Sequence, residues 1–165
     1  MKITEVAMDR GNKIGLGQAS ARLNVYIANR PPLALYQSLE HCRALSPGEI
    51  TQICTETGNH WRKIFNVYAK LVFALSGSPF GPAVDRYSRW QAYRDDALLM
   101  SGSETALWFS PPGQVPEVES YDAIHIVTGK QYATEVCPQG LVSLDSDFSI
   151  DRERRLIVCP YFDYR

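Results

Sequence analysis

The sequence predicts an α/β domain: three layers, with a central, mostly parallel sheet of four or five strands and helices on both faces. Two observations carry this. Short apolar segments of strand character recur along the chain, and segments of helical period separate most of them, which is the pattern of parallel strands joined by crossover helices. The composition is that of an ordinary globular core: 165 residues, 45% hydrophobic, 21% charged and 11% aromatic. A chain of this size buries about two thirds of the surface it exposes when unfolded. We expect an irregular, glycine-containing leader over residues 1–20 and one α/β domain over 21–165.

The first firm element covers 22–28, where Leu23, Val25 and Ile27 alternate with Asn24 and Tyr26, the period of a strand. Asn29-Arg30-Pro31-Pro32 ends it, since proline cannot extend a ladder. A short helix is expected over 33–42. Ser46-Pro47-Gly48-Glu49 then reads as a capping box with proline at the first helical position. Downstream, Ile50, Ile53, Cys54, Trp61, Ile64, Phe65, Tyr68, Leu71, Val72 and Leu75 recur at three- and four-residue steps, so they form a helical core face. Gly58-Asn59 splits that stretch in two, and Gly77 is placed to stop the second helix.

A loop follows, with a helix expected from Asp85 to Met100. A strand over 105–109 is cut off by Pro111-Pro112, and a polar loop runs to Tyr121. Another strand covers 123–128, a short helix begins at Gly129-Lys130 and ends near Val136, and strands are expected over 141–144 and 156–159. Residues 151–155 read as a solvated turn.

Charge and cysteine content narrow the function classes. The net charge is −1, so the chain lacks the overall basic footprint of a strong nucleic-acid binder, though a local patch remains compatible. Cys42, Cys54, Cys137 and Cys159 show no C-x-x-C spacing, which argues against structural zinc and for reduced thiols. The N-terminus has no signal-peptide pattern and no segment has the length of a membrane span. The expected setting is the cytoplasm, with no membrane partner, no metal and no cofactor; oligomeric state is not encoded legibly.

In parallel sheets the ligand site lies beyond the carboxyl ends of the strands. Those ends carry Asn29-Arg30-Pro31-Pro32, Ser110-Pro111-Pro112, Thr128-Gly129-Lys130 and Pro160-Tyr161-Phe162-Asp163. Thr128-Gly129-Lys130 is not a phosphate-cradling nucleotide loop, because Ile124 and Gln131 stand where that motif needs a glycine and a hydroxyl. Ser101-Gly102-Ser103 sits after a helix and not after a strand, which excludes a nucleophile elbow. Asp145, Asp147 and Asp151 lack the glycine and distal glutamate of a calcium loop. His41, His60 and His125 form no ligand set; His125 is expected to be a hydrogen-bonded structural histidine and His60 to lie on a helix surface.

Two resemblances follow from particular segments. Trp61-Arg62-Lys63-Ile64-Phe65-Asn66-Val67-Tyr68-Ala69-Lys70 and the ending Leu156-Ile157-Val158-Cys159-Pro160-Tyr161-Phe162-Asp163-Tyr164-Arg165 resemble a bacterial family of unknown function. The order of segments also resembles the uracil-DNA glycosylase-like superfamily. Ala28-Asn29-Arg30-Pro31-Pro32 stands where those proteins carry a catalytic polar loop after the first strand. Gly58-Asn59-His60-Trp61 resembles a G-N-x-F-W helix start, and Val127-Thr128-Gly129-Lys130-Gln131-Tyr132-Ala133 a strand running into L-G-K-x-A. Pro160-Tyr161-Phe162-Asp163 replaces an H-P-S-P loop. The likeness implies that fold, but Arg30 replaces the water-orienting Asn or Asp and has no acceptor with which to hold water. Tyr161 replaces the base-stabilising histidine. Ordinary uracil excision is therefore not implied.

The leading expectation is a catalytically divergent glycosylase-like protein that binds a nucleobase, nucleotide or single-stranded nucleic-acid end at the strand-end cleft. Asn29 and Asp163 are the catalytic candidates. Asn29, Arg30, Lys130, Tyr161 and Phe162 are the ligand-binding candidates: Tyr161 or Phe162 for stacking, Arg30 and Lys130 for phosphate. The alternatives are a non-catalytic interaction module with aromatic anchors and a small-molecule enzyme with Asp163 as general base. The whole reading assumes that the first and last of these strands lie side by side.

Overall fold

The structure is a computed structural model that describes residues 13–113, 123–137 and 139–163. Residues 1–12 of the expected leader and most of the polar loop before Tyr121 lie outside these. Eight strands form one mixed sheet: β1 (Gly15–Gly17), β2 (Leu23–Tyr26), β3 (Cys42–Arg43), β4 (Thr105–Trp108), β5 (Ile124–Thr128), β6 (Val142–Ser143), β7 (Ser149–Asp151) and β8 (Leu156–Cys159). Their spatial order is β3-β1-β4-β2-β5-β8-β7-β6. The helices are α1 (Ala34–Gln37), α2 (Glu49–Thr57), α3 (Asn59–Ala74), α4 (Trp90–Asp96) and α5 (Lys130–Val136).

The expectation of a mostly parallel sheet of four or five strands holds for the centre alone. β4, β2, β5 and β8 are mutually parallel, whereas β1 runs antiparallel to β4, and β7 and β6 continue antiparallel beyond β8. The first and last of the parallel strands are not neighbours either: β5 lies between β2 and β8. Since all three run the same way, their carboxyl ends still share one rim.

The central register explains why these segments read as near-continuous apolar runs. Leu107, Val25, Ile126 and Ile157 form one row across the four strands, and Trp108, Tyr26, Val127 and Val158 the next. Successive residues point to opposite faces, so both faces must be covered. The first row packs in the large core with Ile53, Trp61, Phe65 and Tyr68 from α2 and α3. The second packs in a smaller core with Ala133 of α5 and Cys137 just beyond it.

β1 is the main departure from the expected leader. Leu16 is fully buried because the two glycines beside it let the chain lie against β4. A Cβ on Gly15 would stand 2.6 Å from the Leu107 carbonyl oxygen, and one on Gly17, at φ +111°, 2.3 Å from that of Thr105. Glycine here signals close backbone approach, not irregularity.

Two helices are shorter than their patterns suggest. α1 stops at Gln37 because Arg30 Nη1 donates to the carbonyls of Tyr36, Gln37 and Leu39 at 3.0, 2.9 and 3.1 Å, ending the turn from outside. The stretch 85–100 is helical only over Trp90–Asp96. Beyond it Leu99, at φ +61°, donates its N–H to Thr105 Oγ1 and accepts at its carbonyl from Leu45 N–H. The α2 cap also differs: Gly48, at φ +85°, is the N-cap. Of the expected box only the Glu49 half forms, with Oε1 accepting from Ser46 N–H at 3.0 Å. Glu49 also accepts from Tyr36 Oη and pairs with Arg43.

A buried hydroxyl ties α3 to the centre of the sheet. Tyr68 Oη shares its one proton between the carbonyl oxygens of Ala106 and Leu23, at 2.8 and 3.0 Å, and accepts from Ala106 N–H at 3.2 Å. Tyr68→Phe leaves those backbone groups buried without this partner, so urea denaturation should show a loss of about 1–3 kcal/mol. A loss below about 0.3 kcal/mol would show that the bond is not structural.

Candidate functional site

The chain leaves β2 toward the β4 side of the sheet and leaves β5 toward the β8 side, and these opposite directions open a crevice between the ends of β2 and β5. A cleft of about 460 Å³ occupies it, lined by Asn29 after β2, Thr128 to Lys130 after β5, and Pro160 and Tyr161 after β8. That volume lies within the range of small-molecule sites. Ser146 and Asp147, at the tip of the β6–β7 hairpin, supply a further wall.

Three of the sequence candidates thus meet. Asn29 Nδ2 donates to Tyr161 Oη at 3.4 Å, and Lys130 lines the same cleft with an exposed side chain. Thr128 is fully buried, its Oγ1 donating to the Tyr26 carbonyl at 2.9 Å, so it serves the floor. Gly129 takes φ +93°, which turns the chain sharply between β5 and α5.

Two candidates are corrected by their surroundings. Arg30 is expended on the α1 carbonyls and stacks its guanidinium over Phe109, 5.6 Å from the ring centroid; it clamps the loop and does not line the cleft. Phe162 is 5% exposed and meets Tyr68 edge to face, with centroids 6.2 Å apart. It is a core anchor and offers no stacking face. Ser110 is also turned away, its Oγ accepting from Ile14 N–H, so the 110–112 segment contributes nothing to the cleft.

Asp163 stands behind Tyr161, outside the cleft lining, where its Oδ2 lies 2.8 Å from His60 Nδ1. His60 in turn stacks on Tyr161, with centroids 5.6 Å apart and planes at 21°, and its Nε2 is 3.4 Å from Tyr161 Oη. Sequence spacing could not reveal His60, because it is brought in by the first turn of α3, a hundred residues from its partners. Its place in Gly58-Asn59-His60-Trp61 was the one visible signal. Burial pushes the Tyr161 phenol above its ordinary range; the Asn29 bond opposes this, and the Asp163 charge adds to it. The phenol therefore stays protonated at neutral pH.

Glu135 of α5 lines the cleft as well, whereas several other titratable groups are structural. Tyr26 Oη and His125 Nδ1 are 2.8 Å apart. Asp145 Oδ1 accepts from the N–H groups of Asp147 and Phe148, and Asp151 pairs with Arg154, so the Asp145 and Asp151 carboxylates are engaged separately. Among the described residues no group of three or more His, Cys, Asp or Glu could hold a metal ion. The four cysteines are free thiols; burial raises Cys42 to about 11 and Cys159 to about 12, which leaves both unreactive at neutral pH.

A family of unknown function matches residues 14–165. The chain belongs to that family, DUF6942. No curated protein and no solved structure matches it. The DUF6942 match begins at Ile14 and takes in β1, in keeping with the place of that strand inside the sheet. Among the described residues no helix is long and apolar enough to cross a membrane.

The clamp role assigned to Arg30 is open to measurement. Arg30→Ala should lower stability by about 2 kcal/mol in urea denaturation, because carbonyls lose a charged donor. A surface control such as Arg152→Ala should stay within about 0.5 kcal/mol. Equal effects from both would remove the clamp.

Proposed function

We propose that this DUF6942 protein binds a nucleobase or nucleotide in the strand-end cleft, with Tyr161 as the aromatic wall, Asn29 as a hydrogen-bonding group and Lys130 as the partner of a phosphate. The observation that carries the reading is the convergence of these three residues from three different strand ends on one cleft at the sheet's switch point. A planar heterocycle suits an aromatic wall flanked by an amide, and an exposed ammonium suits an anionic tail. The likeness to uracil-DNA glycosylase-like domains is supported by the parallel centre of the sheet and by loops 28–32 and 160–163 meeting on one rim. Arg30 and Phe162 have no part in binding on this reading.

A second reading has one observation in its favour. Val142, Leu144 and Phe148, on the hairpin beside the cleft, are 63%, 57% and 41% exposed, and apolar exposure of this kind is found at protein contacts. A Val142→Lys variant that leaves the sedimentation coefficient unchanged would speak against self-assembly through this edge.

Isothermal titration with uridine 5′-monophosphate and with uridine tests the binding reading. Tyr161→Ala should weaken both ligands by about 1–3 kcal/mol, the usual worth of one base–aromatic stack. Lys130→Ala should weaken the monophosphate more than the nucleoside, and Asn29→Ala should weaken both without a large change in Tm. Wild-type affinity in all three variants would place the site elsewhere.

A further inference from the structure

We propose that Asp163, His60 and Tyr161 form a proton relay that ends in the cleft and acts on a nucleobase bearing a ring N–H; this rests on the nucleotide reading above. The geometry supplies each link. Asp163 Oδ2 is 2.8 Å from His60 Nδ1, and a carboxylate only accepts, so the proton sits on Nδ1. Nε2 is then left as an acceptor, and it faces Tyr161 Oη at 3.4 Å. Tyr161 Oη accepts from Asn29 Nδ2, also at 3.4 Å, on the cleft side. The stacked rings of His60 and Tyr161 hold this line in place.

Exposure fits the direction of transfer. The His60 and Asp163 side chains are 44% and 34% exposed, so the outer end of the relay meets solvent, while Tyr161 lines the cleft. Among the described residues, the charged and titratable groups shown against His60 are Asp163 and Tyr161 from the segment after β8; on its own helix the neighbouring ring is Trp61, edge on at 6.1 Å. Asp163 acts through His60 and is a positioning residue. An Asp–His pair in which the carboxylate fixes the tautomer is an arrangement suited to general-base work.

The step balances without a further reactant. A ring N–H of the bound base gives its proton to Tyr161 Oη while the phenol passes its own proton to His60 Nε2. The N–H electron pair stays on the ligand, which becomes an anion in a cleft lined by Lys130 and also by the acidic residues Glu135 and Asp147. The imidazolium faces the Asp163 carboxylate, and its proton exchanges with water; the reverse path restores the ligand. Uracil- and guanine-type bases have the required N–H, whereas cytosine in a nucleotide has none.

Two measurements decide the proposal. In ligand-free, 15N-labelled protein, neutral His60 should carry its proton on Nδ1, and Asp163→Ala should shift it toward Nε2. A wild-type Nε2–H tautomer, or one unmoved by Asp163→Ala, overturns the relay. With 15N-labelled uridine 5′-monophosphate at saturation, exchange of the bound N3–H with water should slow at least about tenfold in His60→Gln and in Tyr161→Phe, since general acid–base groups contribute about 100-fold or more. Unchanged exchange in both variants also overturns it. Failure of the wild-type protein to bind the monophosphate removes the nucleotide reading instead, and the tautomer measurement then decides the relay alone.

Discussion

The first turn of α3, which brings His60 to the strand-end rim, is placed by the Tyr68 hydroxyl. A tyrosine in the middle of a 16-residue helix reaches through the apolar layer and bonds the backbone of two adjacent parallel strands. Apolar packing between helix and sheet is non-directional and tolerates sliding, whereas a buried hydroxyl with fixed partners does not. The bond sets how far α3 extends along β2 and β4, and so where its first turn stands.

The same ring anchors the chain after β8. Phe162 packs edge to face on Tyr68, and with that ring fixed in the core the side chains on either side of it reach the first turn of α3. Tyr161 and Asp163 both meet His60 for this reason. One aromatic contact in the core thus fixes two polar groups at the surface, and the helix supplying the third is held by the same side chain.

Much of the element order was legible in the sequence. β2, β4, β5 and β8 were visible because strands buried on both faces read as apolar runs, and the break at Gly58 because glycine ended one helical stretch and allowed another. β1 was hidden because its signal is two glycines, whose use here is proximity to another strand. The shortness of α1 was hidden because Arg30, four residues upstream of it, terminates it from outside. At the rim, strand direction alone brought Asn29, Lys130 and Tyr161 to one end of the sheet. What could not be read was which neighbours each side chain finds: Arg30 turned to carbonyls, Phe162 to the core and His60 toward a carboxylate a hundred residues away.

The cleft has walls of unequal firmness. Its floor is built on β5, which is hydrogen-bonded on both sides, and on β2, which is likewise flanked. The hairpin that supplies Ser146 and Asp147 joins the sheet only through β7, and residues 142–148 are all exposed. Such a segment lies at the low end of a protein's range of local opening energies. The pairing of β2, β5 and β8 does not run through the hairpin, so the base of the cleft is independent of the wall that Ser146 and Asp147 supply.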